Sequence, residues 1–241
     1  GRAALFDFFV NTPGHGLRAG EIEPHFLPIT VRFPSSEQIF NVGLGSAAVP
    51  GVLRGYLHTH RRLGRLPLSE VLAPAIHLAR TGVAINPKQA YFLDLLTPIM
   101  TLTASGRALF APDGRYLSTG DVYCNPDLAA FLETLLFDGE REFYEGELAR
   151  CIDQEMREGG GLLTAADLAA YQVIEREPLP VEYRGFRLLT NPPPSFGGSL
   201  LALSLRLLEA CEIAGLSFGA PAHLALLTAV VTGPLAVIAG L

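Results

Sequence analysis

The sequence has few charged residues and no excess of positive charge. Asp, Glu, Lys and Arg make up 17% of its 241 residues, against roughly a quarter in an average soluble domain. The 18 basic residues are outnumbered by 24 acidic ones, and the net charge is −6. One short basic cluster, Arg61 and Arg62 with Arg65, stands alone. Since nucleic-acid-binding proteins carry a broad basic surface, we expect no nucleic acid among the partners.

Cysteine is also scarce, and the histidines are poorly placed to share a metal ion. Cys124, Cys151 and Cys211 lie far apart and show none of the paired spacings of a disulfide framework or a zinc site. His58 and His60 are two residues apart, so on a helix they point to different sides. We therefore predict no metal site.

Motifs for a catalytic nucleophile are missing. The chain has no Gly-x-Ser-x-Gly elbow and no cysteine in a catalytic signature. Residues 43–46, Gly-Leu-Gly-Ser, superficially resemble a phosphate-binding loop, but the further glycine and the Gly-Lys-Ser/Thr element are lacking. Small residues there are explained more simply by close approach of two backbone segments. We predict no cofactor and assign no catalytic residue within the chain.

Hydrophobic periodicity alternates between strand and helix signals, which predicts an α+β fold. Short apolar and β-branched runs between turn residues predict strands at 4–10 (buried), 27–33, 38–42, 173–177, 181–183 and 186–190. Apolar residues recurring every three or four positions predict helices at 50–63, 70–81, 87–96, 126–136, 147–158 and 200–214. Cap residues support several of the helix starts: Ser69, Asn86, Asn125, and a capping box of Thr164 with Asp167.

The two ends of the chain carry further signals. The first residues lack the basic and apolar regions of a signal peptide, so we expect the chain to begin inside a longer protein, and the compartment (periplasmic, extracellular or cytoplasmic) stays open. Residues 222–241 are uncharged and long enough to span a membrane. However, Gly233-Pro234 interrupts them and no basic flank marks an orientation. We expect instead a buried helix that meets a missing part of the protein, and membrane attachment is the less favoured alternative.

Several ordered stretches carry a more specific signal: 45–56, 60–67, 74–82, 143–146, 160–171, 183–185 and 192–198. Together they resemble, in order and in approximate spacing, the large subunit of the gamma-glutamyltranspeptidase family. The resemblance is clearest over 45–198, and the tail at 220–241 departs from it. It implies the α+β sandwich (αββα) of the N-terminal nucleophile hydrolases, of which the chain would be the large-subunit part. We therefore expect residues 1–241 to form one partial domain.

The resemblance also implies an activity and a partner. Members of the family cut themselves into two subunits, and the new N-terminal Thr of the small subunit attacks a gamma-glutamyl amide such as glutathione. Water or an acceptor amine then resolves the acyl-enzyme. No Thr-Thr-His or Thr-Ser-His segment occurs in this sequence. We therefore expect the nucleophile on a small subunit outside the chain, and the chain alone to be inactive.

One departure from the family concerns the substrate. The resemblance implies an Arg, in the strand before a turn, that pairs with the α-carboxylate of the substrate, and matching the turn to Thr12-Pro13 puts Phe9 at that position. Phenylalanine cannot make the bidentate contact of an arginine. Either another cation serves, or the substrate is not a standard gamma-glutamyl amide. Asn11, beside the turn, is the nearest polar group that could contact a ligand; the alternative is a turn residue that satisfies its own backbone.

An alternative from another functional class remains open. A degenerate paralogue or gene fragment would keep the same scaffold motifs without any reaction and would act as a structural or binding module. The sequence downstream of residue 241 separates the two readings, because only the enzyme needs a Thr-Thr-His-like segment there.

Overall fold

The computed structural model describes residues 3–18, 20 and 23–239, with side chains described as far as Gly233. The chain packs as two compact units. The larger unit is Phe8–Val173, and the smaller combines the described part of Gly1–Asp7 with that of Ile174–Leu241. The expectation of a single partial domain over 1–241 stays a prediction.

Both helices and strands are present, as the α+β prediction requires. The helices are α1 Val52–Leu63, α2 Leu68–Thr81, α3 Pro87–Leu95, α4 Thr97–Met100, α5 Ala104–Phe110, α6 Pro126–Asp138, α7 Arg141–Tyr144, α8 Glu147–Gly159, α9 Ala165–Ala170, α10 Phe196–Glu209 and α11 Pro221–Ala239. The strands are β1 Leu5–Asp7, β2 Leu27–Phe33, β3 Ser36–Val42, β4 Val83–Ala84, β5 Val122–Tyr123, β6 Ile174–Arg176, β7 Leu179–Tyr183 and β8 Phe186–Thr190. In the described residues the strands pair as β1–β6, β2–β3, β4–β5 and β7–β8, all antiparallel.

The core of the larger unit forms where α8 and α9 meet the segment before α1. Its buried members are Val49, Tyr144, Ala149, Met156, Leu163, Leu168 and Tyr171. Helix α8 is amphipathic and buries Ala149 and Met156 on its apolar face, which is the usual way for a surface helix to join a core. The predicted helix at 147–158 is confirmed, with its C-terminus at Gly159.

Local cap chemistry fixes three of the helix starts as predicted. Asn86 forms a capping box with Gln89, Asn125 accepts a hydrogen bond from the backbone of Leu128, and Thr164 forms a capping box with Asp167. The predicted cap at Ser69 is wrong. Helix α2 begins at Leu68, because Pro67 in the extended conformation already occupies the N-cap position.

The β2–β3 hairpin in the larger unit is close to its prediction. Strand β2 covers Leu27–Phe33 as expected, but β3 begins at Ser36 rather than at residue 38. Phe33 pairs directly with Ser36, so the two strands are joined by a two-residue loop. A two-residue loop is the commonest tight connection between antiparallel strands.

The first predicted strand is shorter and less buried than the pattern at 4–10 indicated. Strand β1 ends at Asp7, where its three-residue partner β6 begins at Ile174. Phe9 is 79% exposed and Val10 is also exposed, so the prediction of a buried strand is wrong for these residues. The apolar side chains of Phe9 and Val10 are therefore not part of the described core.

The smaller unit contains β1 with β6, the β7–β8 hairpin, and helices α10 and α11. Arg184 and Gly185 both have positive φ at the predicted hairpin turn. Helix α10 begins at Phe196, four residues earlier than predicted, because the side chain of Ser195 accepts a hydrogen bond from the backbone of Gly198. Helix α11 covers most of the uncharged tail. In the described part of the chain, no helix combines the length and apolar character of a membrane span.

Candidate functional site

The backbone of Asn11 is fixed, and its side chain is free to contact a ligand. Its N–H donates to the carbonyl of Val49 over 3.1 Å, and its carbonyl accepts from the N–H of Val49 over 2.9 Å. The carboxamide is exposed and makes no hydrogen bond within the described residues. In the alternative interpretation, this side chain would satisfy the backbone of its own turn. The described residues show no such hydrogen bond.

Two neighbouring cavities share Asn11, Thr12 and Pro13 in their walls. The larger has a volume of 590 Å³, and the rest of its wall is mostly apolar: Phe9, Val10, Pro24, Phe26, Gly45, Ser46, Ala47, Ala48 and Leu162. The smaller has a volume of 380 Å³ and is completed by Gly14, His15, Val49, Asp167 and Ala170. None of the described residues that line the larger cavity is charged, so the alternative cation considered for the substrate carboxylate is not in its wall.

Phe9 is held in the wall of the larger cavity by a bond to its backbone. The buried hydroxyl of Tyr171 donates a hydrogen bond to the carbonyl of Phe9. The ring of Phe9 is largely exposed. The wall that contains this ring and Asn11 can therefore offer apolar contact together with a neutral hydrogen-bonding group.

The carboxylate of Asp167 joins the segment after Asn11 to the start of α9. Oδ1 accepts from the N–H of His15 over 2.7 Å, and Oδ2 accepts from the N–H of Gly14 over 3.1 Å. Oδ2 also accepts from the N–H of Thr164 over 2.9 Å and from its hydroxyl over 2.7 Å. Asp167 is 5% exposed, so these four donors replace the water that the carboxylate loses on burial.

These donors keep Asp167 ionised. Burial raises the pKa of the carboxyl, but the hydrogen bonds from Thr164 and from the backbone of His15 and Gly14 lower it by more, and the pKa lies below its ordinary value. Hydrogen bonds donated to the charged form of a carboxylate have this effect because they are lost on protonation.

Three glycines in the 45–56 stretch are required by close packing. A Cβ on Gly51 would lie 1.9 Å from the hydroxyl oxygen of Tyr171, and a Cβ on Gly55 would lie 2.0 Å from the ring of Phe8. Gly45 is required for the same reason, since a Cβ added there would lie 2.5 Å from the backbone of His25. This confirms the close-approach interpretation of the small residues there.

Arg54 ties three of the sequence stretches together. Its guanidinium lies 4.0 Å from the ring centre of Tyr144 and donates hydrogen bonds to the carbonyl of Tyr171 and to Glu145. The hydroxyl of Tyr144 accepts from the N–H of Arg54 and donates to the carbonyl of Pro50 over 2.7 Å. Burial raises the pKa of Tyr144, so the hydroxyl stays neutral and can donate. Three of the stretches that resembled a family from sequence, 45–56, 143–146 and 160–171, are therefore neighbours in space.

The sequence marked Asn11 as a candidate contact and Phe9 as a departure from the family, and the contact of Asn11 stays a prediction. The hydrogen bonds of Asp167 to Gly14 and His15 were not predicted. The capping box marked Asp167 only as a helix start, and no signal linked it to Gly14 and His15. In the part of the chain that the structure describes, no group of three or more His, Cys, Asp and Glu side chains could hold a metal ion.

Comparison with known proteins agrees with the family resemblance drawn from the sequence. Residues 25–231 match the family model described as gamma-glutamyltranspeptidase. The chain is 35% identical over 187 residues to the glutathione hydrolase proenzyme of Escherichia coli (strain K12), which covers 77% of this chain and 32% of that protein. It is 36% identical over 178 residues to the acylase ACY 1 proenzyme of Pseudomonas sp. (strain V22), covering 74% and 32%.

A solved structure shows the same likeness in three dimensions. The crystal structure of Helicobacter pylori gamma-glutamyltranspeptidase superposes with a TM-score of 0.82 at 26% identity, covering 98% of this chain and 66% of that chain. The predicted α+β fold of the N-terminal nucleophile hydrolases is thereby confirmed. The chain spans about a third of the length of the curated relatives. Asn11 precedes the residues that match the family model.

Proposed function

Because this chain belongs to the gamma-glutamyltranspeptidase family, we propose that it is the large-subunit portion of an enzyme that hydrolyses or transfers gamma-glutamyl groups from glutathione-type amides. The observation that carries the proposal is the match over 25–231. Packing supports it, because three of the matched stretches meet around Arg54, Tyr144 and Tyr171.

The nucleophile in this proposal is an N-terminal Thr on a small subunit outside the chain. Its hydroxyl attacks the amide carbonyl carbon while its own α-amine accepts the proton. The C–N bond then breaks, the proton passes to the leaving amine, and the acyl group remains as an ester on the Thr. Water releases this group as an acid, or an acceptor amine takes it as a new amide.

Asn11 is the residue of this chain that we assign to substrate contact. Its carboxamide can both donate and accept, so it suits a polar group on the acyl part of the substrate. The backbone pairing with Val49 holds it in the wall shared by both cavities. Hydrogen bonds from a fixed backbone position cost less ordering on binding than bonds from a mobile loop.

A second candidate activity takes an amide whose acyl group is uncharged. The observation that favours it is the larger cavity, whose described wall has no charged side chain and includes the exposed ring of Phe9. A carboxylate placed there would lose water without gaining a cation, whereas an apolar acyl chain would gain contact. One of the relatives bears the name acylase.

A non-catalytic role as a structural or binding module is the alternative to both activities. The full-length protein, incubated with a gamma-glutamyl anilide and with an anilide of an uncharged acyl group, separates the three. We expect release of aniline from the gamma-glutamyl substrate by the full-length protein and none by residues 1–241 alone. Release from the uncharged anilide alone would replace the first activity by the second, and release from neither would favour the module.

A further inference from the structure

We propose that Asp167 is a positioning residue, which holds the segment behind Asn11 so that the carboxamide of Asn11 keeps its place between the two cavities. The inference rests on the proposed function, because it takes Asn11 as the residue that contacts the substrate. It adds a second residue to the site, one that acts through the backbone and not by touching the substrate.

The segment that carries Asn11 is held at both ends. At Asn11 itself, the two backbone hydrogen bonds to Val49 fix the chain. After only two intervening residues, the N–H groups of Gly14 and His15 both donate to the carboxylate of Asp167. Thr12 and Pro13, which line both cavities, lie between these anchors. Movement at the Asp167 end therefore reaches the cavity walls directly.

The opposite side of the carboxylate is anchored to a helix. The N–H and the hydroxyl of Thr164 donate to Oδ2, and Thr164 in turn accepts from the N–H of Asp167 to complete the capping box of α9. A side chain whose own position is locked by its neighbours can position another group accurately. Asp167 is thus a rigid bridge between α9 and the Asn11 segment.

An ionised carboxylate suits this task, and its amide analogue does not. Both oxygens of Asp167 accept only, Oδ1 from His15 and Oδ2 from Gly14 and Thr164. Asparagine has a single acceptor oxygen and an NH₂ donor. In the same geometry its NH₂ must face either the N–H of His15 or the donors at Oδ2. Asp167→Asn therefore releases one end of the bridge while keeping nearly the same volume.

A double-mutant cycle on the full-length protein tests this inference, with KM and kcat for whichever anilide the wild type cleaves. Asp167→Asn and Asn11→Ala are measured singly and together. If Asp167 acts through Asn11, each single change raises KM by about ten-fold with a smaller change in kcat, and the double variant has the KM of Asn11→Ala alone. Additive effects on KM would overturn the positioning role.

A matched control separates positioning from loss of a helix cap. Asn86→Ala removes the capping box of α3 in the same unit, away from both cavities. It is expected to lower the melting temperature as a lost cap does, with KM unchanged. If Asn86→Ala raises KM as much as Asp167→Asn, the effect is general destabilisation and the inference fails.

A second variant keeps the test decisive if Asp167→Asn does not fold. His15→Pro removes the N–H that donates to Oδ1 and leaves Asp167 and its helix cap intact. His15 is exposed and is not among the described residues with positive φ. The expected result is again a raised KM that is non-additive with Asn11→Ala. If Asn11→Ala alone leaves KM unchanged, the substrate contact and the positioning role both fail; if only the cycle is additive, the contact stands.

Discussion

The carboxylate of Asp167 and the backbone N–H of His15 lie 2.7 Å apart across 152 positions of the sequence. This bond links the capping box of α9 to the segment that carries Asn11. The 160–171 stretch and the N-terminal segment are therefore directly hydrogen-bonded to each other.

The first prediction concerns pH. The folded-state pKa of Asp167 lies below the ordinary 3.8. A depressed pKa means that the carboxylate contributes stability above its unfolded pKa, and that this contribution is lost as pH falls through the folded-state pKa. The difference in melting temperature between the wild type and Asp167→Asn should therefore be full at neutral pH and shrink below about pH 4. Thermal unfolding from pH 7 downwards measures it. A difference that stays constant down to the acid limit would show that the charge is not responsible.

The second prediction concerns packing at Gly51. Gly51→Ala places a Cβ 1.9 Å from the hydroxyl oxygen of Tyr171. We expect destabilisation of about 2–3 kcal/mol, because both the helix start and the buried tyrosine must shift. The control is Gly197→Ala on α10, whose Cβ would meet nothing within 4 Å. That change should be neutral or slightly stabilising. Denaturant unfolding of both variants decides, and equal stability of the two would refute the packing explanation.

The third prediction concerns Arg54. Lysine cannot lie flat over the ring of Tyr144 and also donate to the carbonyl of Tyr171 and to Glu145. Because the Arg54 side chain is only 15% exposed, we expect Arg54→Lys to lower the free energy of unfolding by about 1–3 kcal/mol. Arg157→Lys, where the exposed guanidinium of Arg157 pairs with Asp153, should change it by less than about 0.5 kcal/mol. Similar losses in both variants would mean that Arg54 has no special structural role.

Local features of the fold could be predicted from the sequence. Asn86 with Pro87, Thr164 with Asp167 and the Arg184-Gly185 turn each act within a few residues, and the structure confirms all three. The short elements α4, α7, β4 and β5 were not predicted, because two to four residues cannot display a hydrophobic period. Helix α5, with seven residues, also falls below the length at which a period is clear.

Long-range features of the site could not be predicted. Asn11 became a candidate because it lies beside a turn that the sequence makes visible, and its contact with a substrate stays a prediction. The bond from Tyr171 to Phe9 and the contact between Gly51 and Tyr171 join residues more than a hundred positions apart. Apolar runs such as 4–10 look alike whether they are buried or line a cavity, and so the exposure of Phe9 was predicted wrongly.

The fourth prediction concerns the acyl group. Phe9→Arg places a cation in the wall of the larger cavity, where none of the described lining residues is charged. In the full-length protein it should shift the ratio of kcat/KM, gamma-glutamyl anilide over uncharged anilide, by about ten-fold in favour of the former. Phe186→Arg, at a similarly exposed phenylalanine on β8, should leave the ratio unchanged. An unchanged ratio in both variants would remove Phe9 from the acyl site.

The location of the nucleophile is the central claim, and covalent labelling tests it most directly. The full-length protein is treated with an electrophilic glutamine analogue, and the modified residue is mapped by peptide mass spectrometry. We expect one label, on an N-terminal Thr of a chain that lies outside residues 1–241, together with complete loss of turnover. A stoichiometric, inactivating label on any residue within 1–241 would contradict it.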